Sequence, residues 1–256
     1  MQNPDLTGFE AKPSENLSLS SDAIWIRLED GSSRMIHLQG DCLYLSPSAT
    51  SDLENCIIKK SNENSSVNIV KKLASYRMLD INSKRFFTLN KTIKYFKIQF
   101  IYYVVYIMGL CNFVTSINFK IKMLLMLSFI FYQVFGISIT IEAWQQYFGK
   151  FIESKSKINK CYTVIDLSNL VINCVSNSVF PLACKERALV TFALCQQYGY
   201  NVSLFLGVQL FPFSGHCWVQ HDDIILSDEP ERCKIFMPVR SYDNRKINFY
   251  YENGVI

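Results

Sequence analysis

The sequence contains no Cys-x-x-Cys pair, although nine cysteines are spread through its 256 residues. An odd number of thiols without that spacing is neither a disulfide framework nor a zinc ribbon. There is also no dense basic cluster. Its 26 Lys and Arg are scattered among 22 Asp and Glu, for a formal net charge of +4, which argues against nucleic acid as a partner. No Gly-x4-Gly-Lys-Ser/Thr loop is present, so no nucleotide site of that kind is expected, and no motif for another bound cofactor is evident. Met1 to Ser20 lacks an apolar run, so no secretory signal is expected, and the free thiols fit a reducing cytoplasm.

What the chain does have is apolar bulk, 49% of its residues, enough for one large core or two smaller ones. Residues 1–22 are polar and read as a disordered tail. Residues 23–28 and 34–38 are short β-rich runs around Asp30-Gly31, a strong hairpin signal, and Cys42 to Leu45 forms a third run. Ser46-Pro47 opens a helix, and apolar spacing predicts another from Val67 to Met78. Residues 23–95 therefore read as a small β-meander domain with helices.

Two apolar runs follow, 98–119 and 123–141, parted by Lys120-Ile121-Lys122. Each has the length of a membrane span, but Gln99, Asn112, Ser128 and Gln133 interrupt them and would need partners in lipid. The spacing favours a pair of helices buried between two domains or lying on a membrane surface, with a spanning hairpin as the alternative. This sets residues 96–150 apart as an apolar helical connector. The polar stretch that follows marks the start of a second domain, 151–256.

That domain holds a cysteine, a histidine and a carboxylate in local settings suited to thiol catalysis. From Leu182 to Cys195 the chain is apolar nearly all round and ends at Tyr198-Gly199, which predicts a buried helix with a glycine C-cap. Cys184 falls in its first turn, where free N–H groups, the dipole, Lys185 and Arg187 favour the thiolate. His216 opens a strand and Asp228 ends the next. With a three-residue turn they face each other across the ladder; with a two-residue turn the register shifts and a bulge is needed. Trp218 shares the face of His216 and is expected to wall the cleft. Zinc is not expected, because His216, Cys217 and His221 alternate between the faces of one strand.

Pro181-Leu182-Ala183-Cys184-Lys185-Glu186-Arg187-Ala188, Leu206-Gly207-Val208, Ser214-Gly215-His216-Cys217-Trp218-Val219 and Ser227-Asp228-Glu229-Pro230 resemble the B proteins of lasso peptide biosynthesis. These are transglutaminase-like, papain-like cysteine proteases that remove the leader from a lasso precursor. The resemblance implies an α+β chain: an N-terminal winged-helix-like recognition domain, a helical connector and a C-terminal protease domain. It implies Cys184 as nucleophile, His216 as base and acid, and Asp228 as the orienting carboxylate. Leader binding is implied along Cys42, Leu43, Tyr44 and Leu45, with the helix 67–78 beside them. The implied partners are the precursor's leader region and an asparagine-synthetase-like lactam synthetase, through which any ATP requirement would enter. Gln220 stands where the family usually has glutamate, which touches a secondary contact rather than the chemistry. Acyl transfer to an amine and a non-catalytic, membrane-associated leader scaffold are the other functions the sequence permits.

Overall fold

The computed structural model describes residues 16–20, 22–38, 42–57, 66–76, 78–82, 84–111, 116–153, 161–243 and 246–249. Two compact units meet in sequence between Thr92 and Ile93.

In the first unit, β1 (Asn16–Leu19) pairs antiparallel with β5 (Leu79–Asn82). The tail expected over residues 1–22 is therefore corrected: its described part is a strand, made by a partner some sixty positions downstream. β2 (Ala23–Arg27), β3 (Ser33–His37) and β4 (Cys42–Leu45) form an antiparallel meander. Its first turn uses Gly31 at φ +81° and Asp30 Oδ1, which accepts from Ser32 N–H at 2.9 Å and Ser32 Oγ at 2.6 Å. α1 (Pro47–Ile57) starts on proline, and α2 (Ser66–Ser75) stops three residues short of the expected end because Met78 leads into β5. One face of the meander packs Ala23, Met35 and Leu45 against Leu53, Leu73 and Leu79.

In the second unit, three helices occupy the stretch expected to hold two. α3 (Lys84–Cys111) enters it from the first unit, α4 (Ile117–Phe135) is capped by Ser116, and α5 (Ile137–Glu153) follows Gly136 at φ +84°. Lys120-Ile121-Lys122 lies inside α4 and does not break it, since lysine is a good helix former. α6 (Val164–Ser176) opens on a capping box in which Thr163 and Asp166 satisfy each other's backbone N–H. α7 (Cys184–Gln197) is the hub, packed by α4, α5 and α6 and by a five-stranded antiparallel sheet. That sheet runs in the order β10 (Ile247–Phe249), β9 (Met237–Tyr242), β6 (Ser203–Leu210), β7 (Phe213–His221) and β8 (Ile224–Ile225), with α8 (Pro230–Cys233) between β8 and β9. The compact unit that holds α7 begins at Ile93, not at 151: α4 and α5 are walls of its core rather than a connector.

Leu189, Val190, Phe192, Ala193, Leu194 and Cys195 are fully buried. Each large apolar side chain so placed stabilises the fold by roughly 1.5–3 kcal/mol, so α7 is held from every side and its first residue is fixed. Gly199, at φ +77°, ends it as expected: Gly199 N–H reaches Gln196 O and Tyr200 N–H reaches Cys195 O, the paired bonds of a Schellman cap. α4 is the one described helix long and apolar enough to cross a membrane, with a mean hydropathy of 1.4. Its Leu124, Leu125, Phe131 and Tyr132 are nonetheless buried in protein.

Candidate active site

Cys184 is the first residue of α7. Glu186 accepts the Ala183 N–H at 2.8 Å and closes the helix start, while the Tyr132 hydroxyl of α4 donates to Lys185 O at 3.2 Å and pins it from outside. The Cys184 sulfur is half-buried and takes a hydrogen bond from the N–H of Cys217, the residue after His216. The helix start and β7 are thereby joined at Cys184.

His216 is 5% exposed and stands opposite Gly207 in the β6–β7 ladder. Its ring stacks on Phe236, with centroids 4.7 Å apart at 26°. The indole of Trp218 lies 6.1 Å from the same imidazole and stacks on Phe205 at 5.4 Å and 8°. That packing requires Gly207: a Cβ there would come within 2.6 Å of the indole. Trp218 itself is 5% exposed, clustered with Cys233 and Phe236. The expectation that it walls the cleft is corrected, because its ring is buried packing behind the His216 imidazole.

The β7–β8 hairpin closes on the two residues Asp222 and Asp223, with Asp222 at φ 51°, so ladder register does not pair His216 with Asp228. The chain instead leaves the sheet after Ile225. Ser227 Oγ then accepts from Val219 N–H at 3.0 Å, and the buried Ser168 hydroxyl donates to Leu226 O. This irregular exit delivers Asp228 Oδ2 to 3.1 Å from His216 Nε2. The carboxylate so placed pulls the imidazole pKa up against burial. Asp228 Oδ1 accepts from Glu229 N–H at 2.8 Å, and Oδ2 is also ion-paired to Arg187 Nη2. Arg187 lies three residues past Cys184, on the same side of the helix. Sequence reasoning gave it only the role of a nearby cation; the spacing was the available signal.

Burial pushes the Cys184 thiol above its ordinary 9.0, and the Cys217 N–H and Arg187 do not outweigh it. The expected resting thiolate is thus corrected to a thiol. Burial likewise holds the His216 imidazole below 6.5, against the pull of Asp228, with Arg232 and Arg187 acting in the same sense as burial. The pair rests neutral, with an imidazole free to accept a proton. With Nε2 turned to Asp228, Nδ1 is the nitrogen left for that task.

Gln220 sits at the far end of β7, where its Nε2 donates to Asp222 O at 2.6 Å. His221 bonds Asn201 O through Nδ1 at 2.7 Å. Among the described residues no three His, Cys, Asp or Glu gather as a metal site. In the first unit β4 is a sheet edge. Tyr44 is 53% exposed under the Arg34 guanidinium, whereas Leu45 is buried in the core, Leu43 packs against it and Cys42 is half-buried. Of these four only Tyr44 presents an open side chain, and the helix packed most closely beside the strand is α1 rather than α2.

Residues 154–241 match the family model of the transglutaminase-like superfamily, so a domain of that superfamily occupies this part of the chain. No curated protein and no solved structure matches the sequence.

Proposed function

We propose that this chain is a cysteine peptidase that cuts the leader from a ribosomally made precursor of the lasso type and passes the core to a lactam synthetase. A transglutaminase-like domain points to thiol chemistry of the protease or acyl-transfer kind. One observation carries the reading: Cys184 at the start of a buried helix, hydrogen-bonded to the residue next to a neutral His216 that is itself beside a carboxylate.

In the proposed reaction His216 Nδ1 takes the Cys184 proton as sulfur attacks the scissile carbonyl. Backbone N–H groups at the start of α7 would hold the oxyanion. The imidazolium then protonates the leaving amine, the C–N bond breaks and a thioester remains. Water, deprotonated by the same nitrogen, releases the leader's carboxylate and restores the thiol. This chemistry calls for no cofactor, and any ATP is spent by the synthetase. The free edge of β4, with Tyr44, would take the leader as an added strand.

Transfer of the acyl group to an amine instead of water is the second reading, favoured by the superfamily match itself. Mass spectrometry of a precursor encoded beside this gene, co-expressed with the chain and the synthetase, decides between them. Leader loss with the wild type but not with Cys184→Ala or His216→Ala is expected, and the product mass tells water from amine. An intact precursor that co-purifies with all three would replace peptidase with scaffold.

A further inference from the structure

β7 has an open side. β8 pairs only with Gln220 and His221, and Val219 is held by Leu226 N–H and the Ser227 hydroxyl, so among the described residues no strand covers the outer edge from Phe213 to Cys217. Cys184 stands at the end of that stretch, where its sulfur takes the Cys217 N–H. Side chains alternate along a strand. His216 and Trp218 share the face that stacks on Phe236 and Phe205, so Phe213, Gly215 and Cys217 share the other, on which α7 packs.

On that face the position between Phe213 and Cys217 carries no side chain. Packing explains Gly207, which an indole covers, but not Gly215: a Cβ there would meet no atom within 4 Å, and its φ is not positive. The exposed, bare backbone leaves a slot bounded by Cys217 and Phe213, whose Cα atoms are about 13 Å apart at the rise of a strand. The Phe213 ring at its far end is 37% exposed. A peptide reaching Cys184 along this edge would set the residue next to its scissile bond level with Gly215. A floor of plain backbone and a phenyl end wall suit a large apolar side chain.

We propose that the slot over Gly215, closed at its far end by Phe213, receives a large apolar side chain of the substrate residue beside the scissile bond. This rests on the peptidase reading and adds a substrate preference to it.

The test uses the purified full chain and two affinity labels, the chloromethyl ketones of acetyl-phenylalanine and acetyl-glycine. In each the Cys184 sulfur displaces chloride from the methylene carbon, a C–S bond forms, and the thiol proton passes to His216; peptide mass mapping places the adduct at Cys184. The wild type is expected to react with the phenylalanine ketone about tenfold faster than with the glycine one. Gly215→Val has room for its Cβ and suits a strand, and it should bring the two rates within about twofold of each other. Phe213→Ala should lower the preference by about threefold or more. Each ratio is taken within one protein, so a general change in thiol reactivity cancels. Equal rates in the wild type, or a preference that Gly215→Val retains, would overturn the slot. The peptidase reading fails by a separate sign: iodoacetamide would alkylate Cys184 at the wild-type rate in His216→Ala, and the slot would then have no catalysis to serve.

Discussion

Arg187 and Asp228 are ion-paired across the second unit, and the carboxylate oxygen they share is the one that faces His216. In the proposed mechanism one oxygen thus serves two cations: the fixed guanidinium and the imidazolium that would form as Cys184 loses its proton. Arg187 holds Asp228 in place, and at the same time draws off part of the charge that would stabilise His216.

Arg187→Gln separates those effects. His216 loses a neighbouring cation that lowers its pKa, so the imidazole titrates higher and the acid limb of kcat/KM moves to higher pH. Cys184 loses a cation that lowers its own pKa, so its alkylation by iodoacetamide also shifts to higher pH. Arg187→Lys keeps the charge and should move both midpoints less. A residue that merely braced the fold would lower Tm and leave the two midpoints where they are.

Asp228→Asn acts in the opposite sense on the base. The carboxylate is the group that raises the imidazole pKa against burial, so without it His216 titrates lower still and the acid limb moves down in pH. Imidazolium formation loses its stabilising charge, and kcat should fall on the order of 10²–10⁴-fold across the profile. Rate measurements from pH 4 to 8 check both, and a variant with an unchanged rate would remove Asp228 from the mechanism.

Local signals and long-range ones fared differently in the sequence. The buried helix after Pro181, its glycine stop and the strand of His216 are written in short-range pattern, and each lies close to where periodicity put it. The route of Asp228 was not, because a two-residue turn at Asp222 fixes a register that would part it from His216, and only the exit held by Ser227 and Ser168 restores the approach. The β1–β5 pair was equally hidden: Asn16-Leu17-Ser18-Leu19 reads as polar tail until a partner distant in sequence takes its hydrogen bonds. The break before α4 belongs to the cap at Ser116, while the lysines that seemed to mark it are tolerated within the helix.

Gly207 shows how tightly the imidazole is backed. A Cβ at this position meets the Trp218 ring at 2.6 and 2.8 Å and Phe236 Cβ at 3.1 Å, and Phe236 is the ring on which His216 stacks. Gly207→Ala should therefore cost roughly 1–3 kcal/mol in stability and lower kcat as well. Adding Trp218→Leu gives the methyl room, so the double variant should be more stable than the sum of the single losses. Denaturant titration of the four proteins measures that coupling; strict additivity would mean that the indole and residue 207 do not compete for space.

Glu186 is a carboxylate 1% exposed that supports the helix start through Ala183 N–H. Burial raises its pKa above the ordinary 4.5, with the Ala183 and Glu186 N–H groups and Lys185 opposing. The sign follows from linkage. A folded state that holds the proton more tightly than the unfolded chain is favoured below the unfolded pKa, and it loses that advantage as pH rises through the folded pKa. Glutamine keeps a carbonyl oxygen for Ala183 N–H but has no charge to bury. Glu186→Gln is therefore expected to raise Tm at pH 7, with the gain fading as pH falls through the raised folded pKa and gone below about 4.5. Thermal unfolding of wild type and variant at both pH values tests it. A loss of stability at pH 7 would mean that the charged form, through Lys185 and the helix start, is worth more than its burial costs.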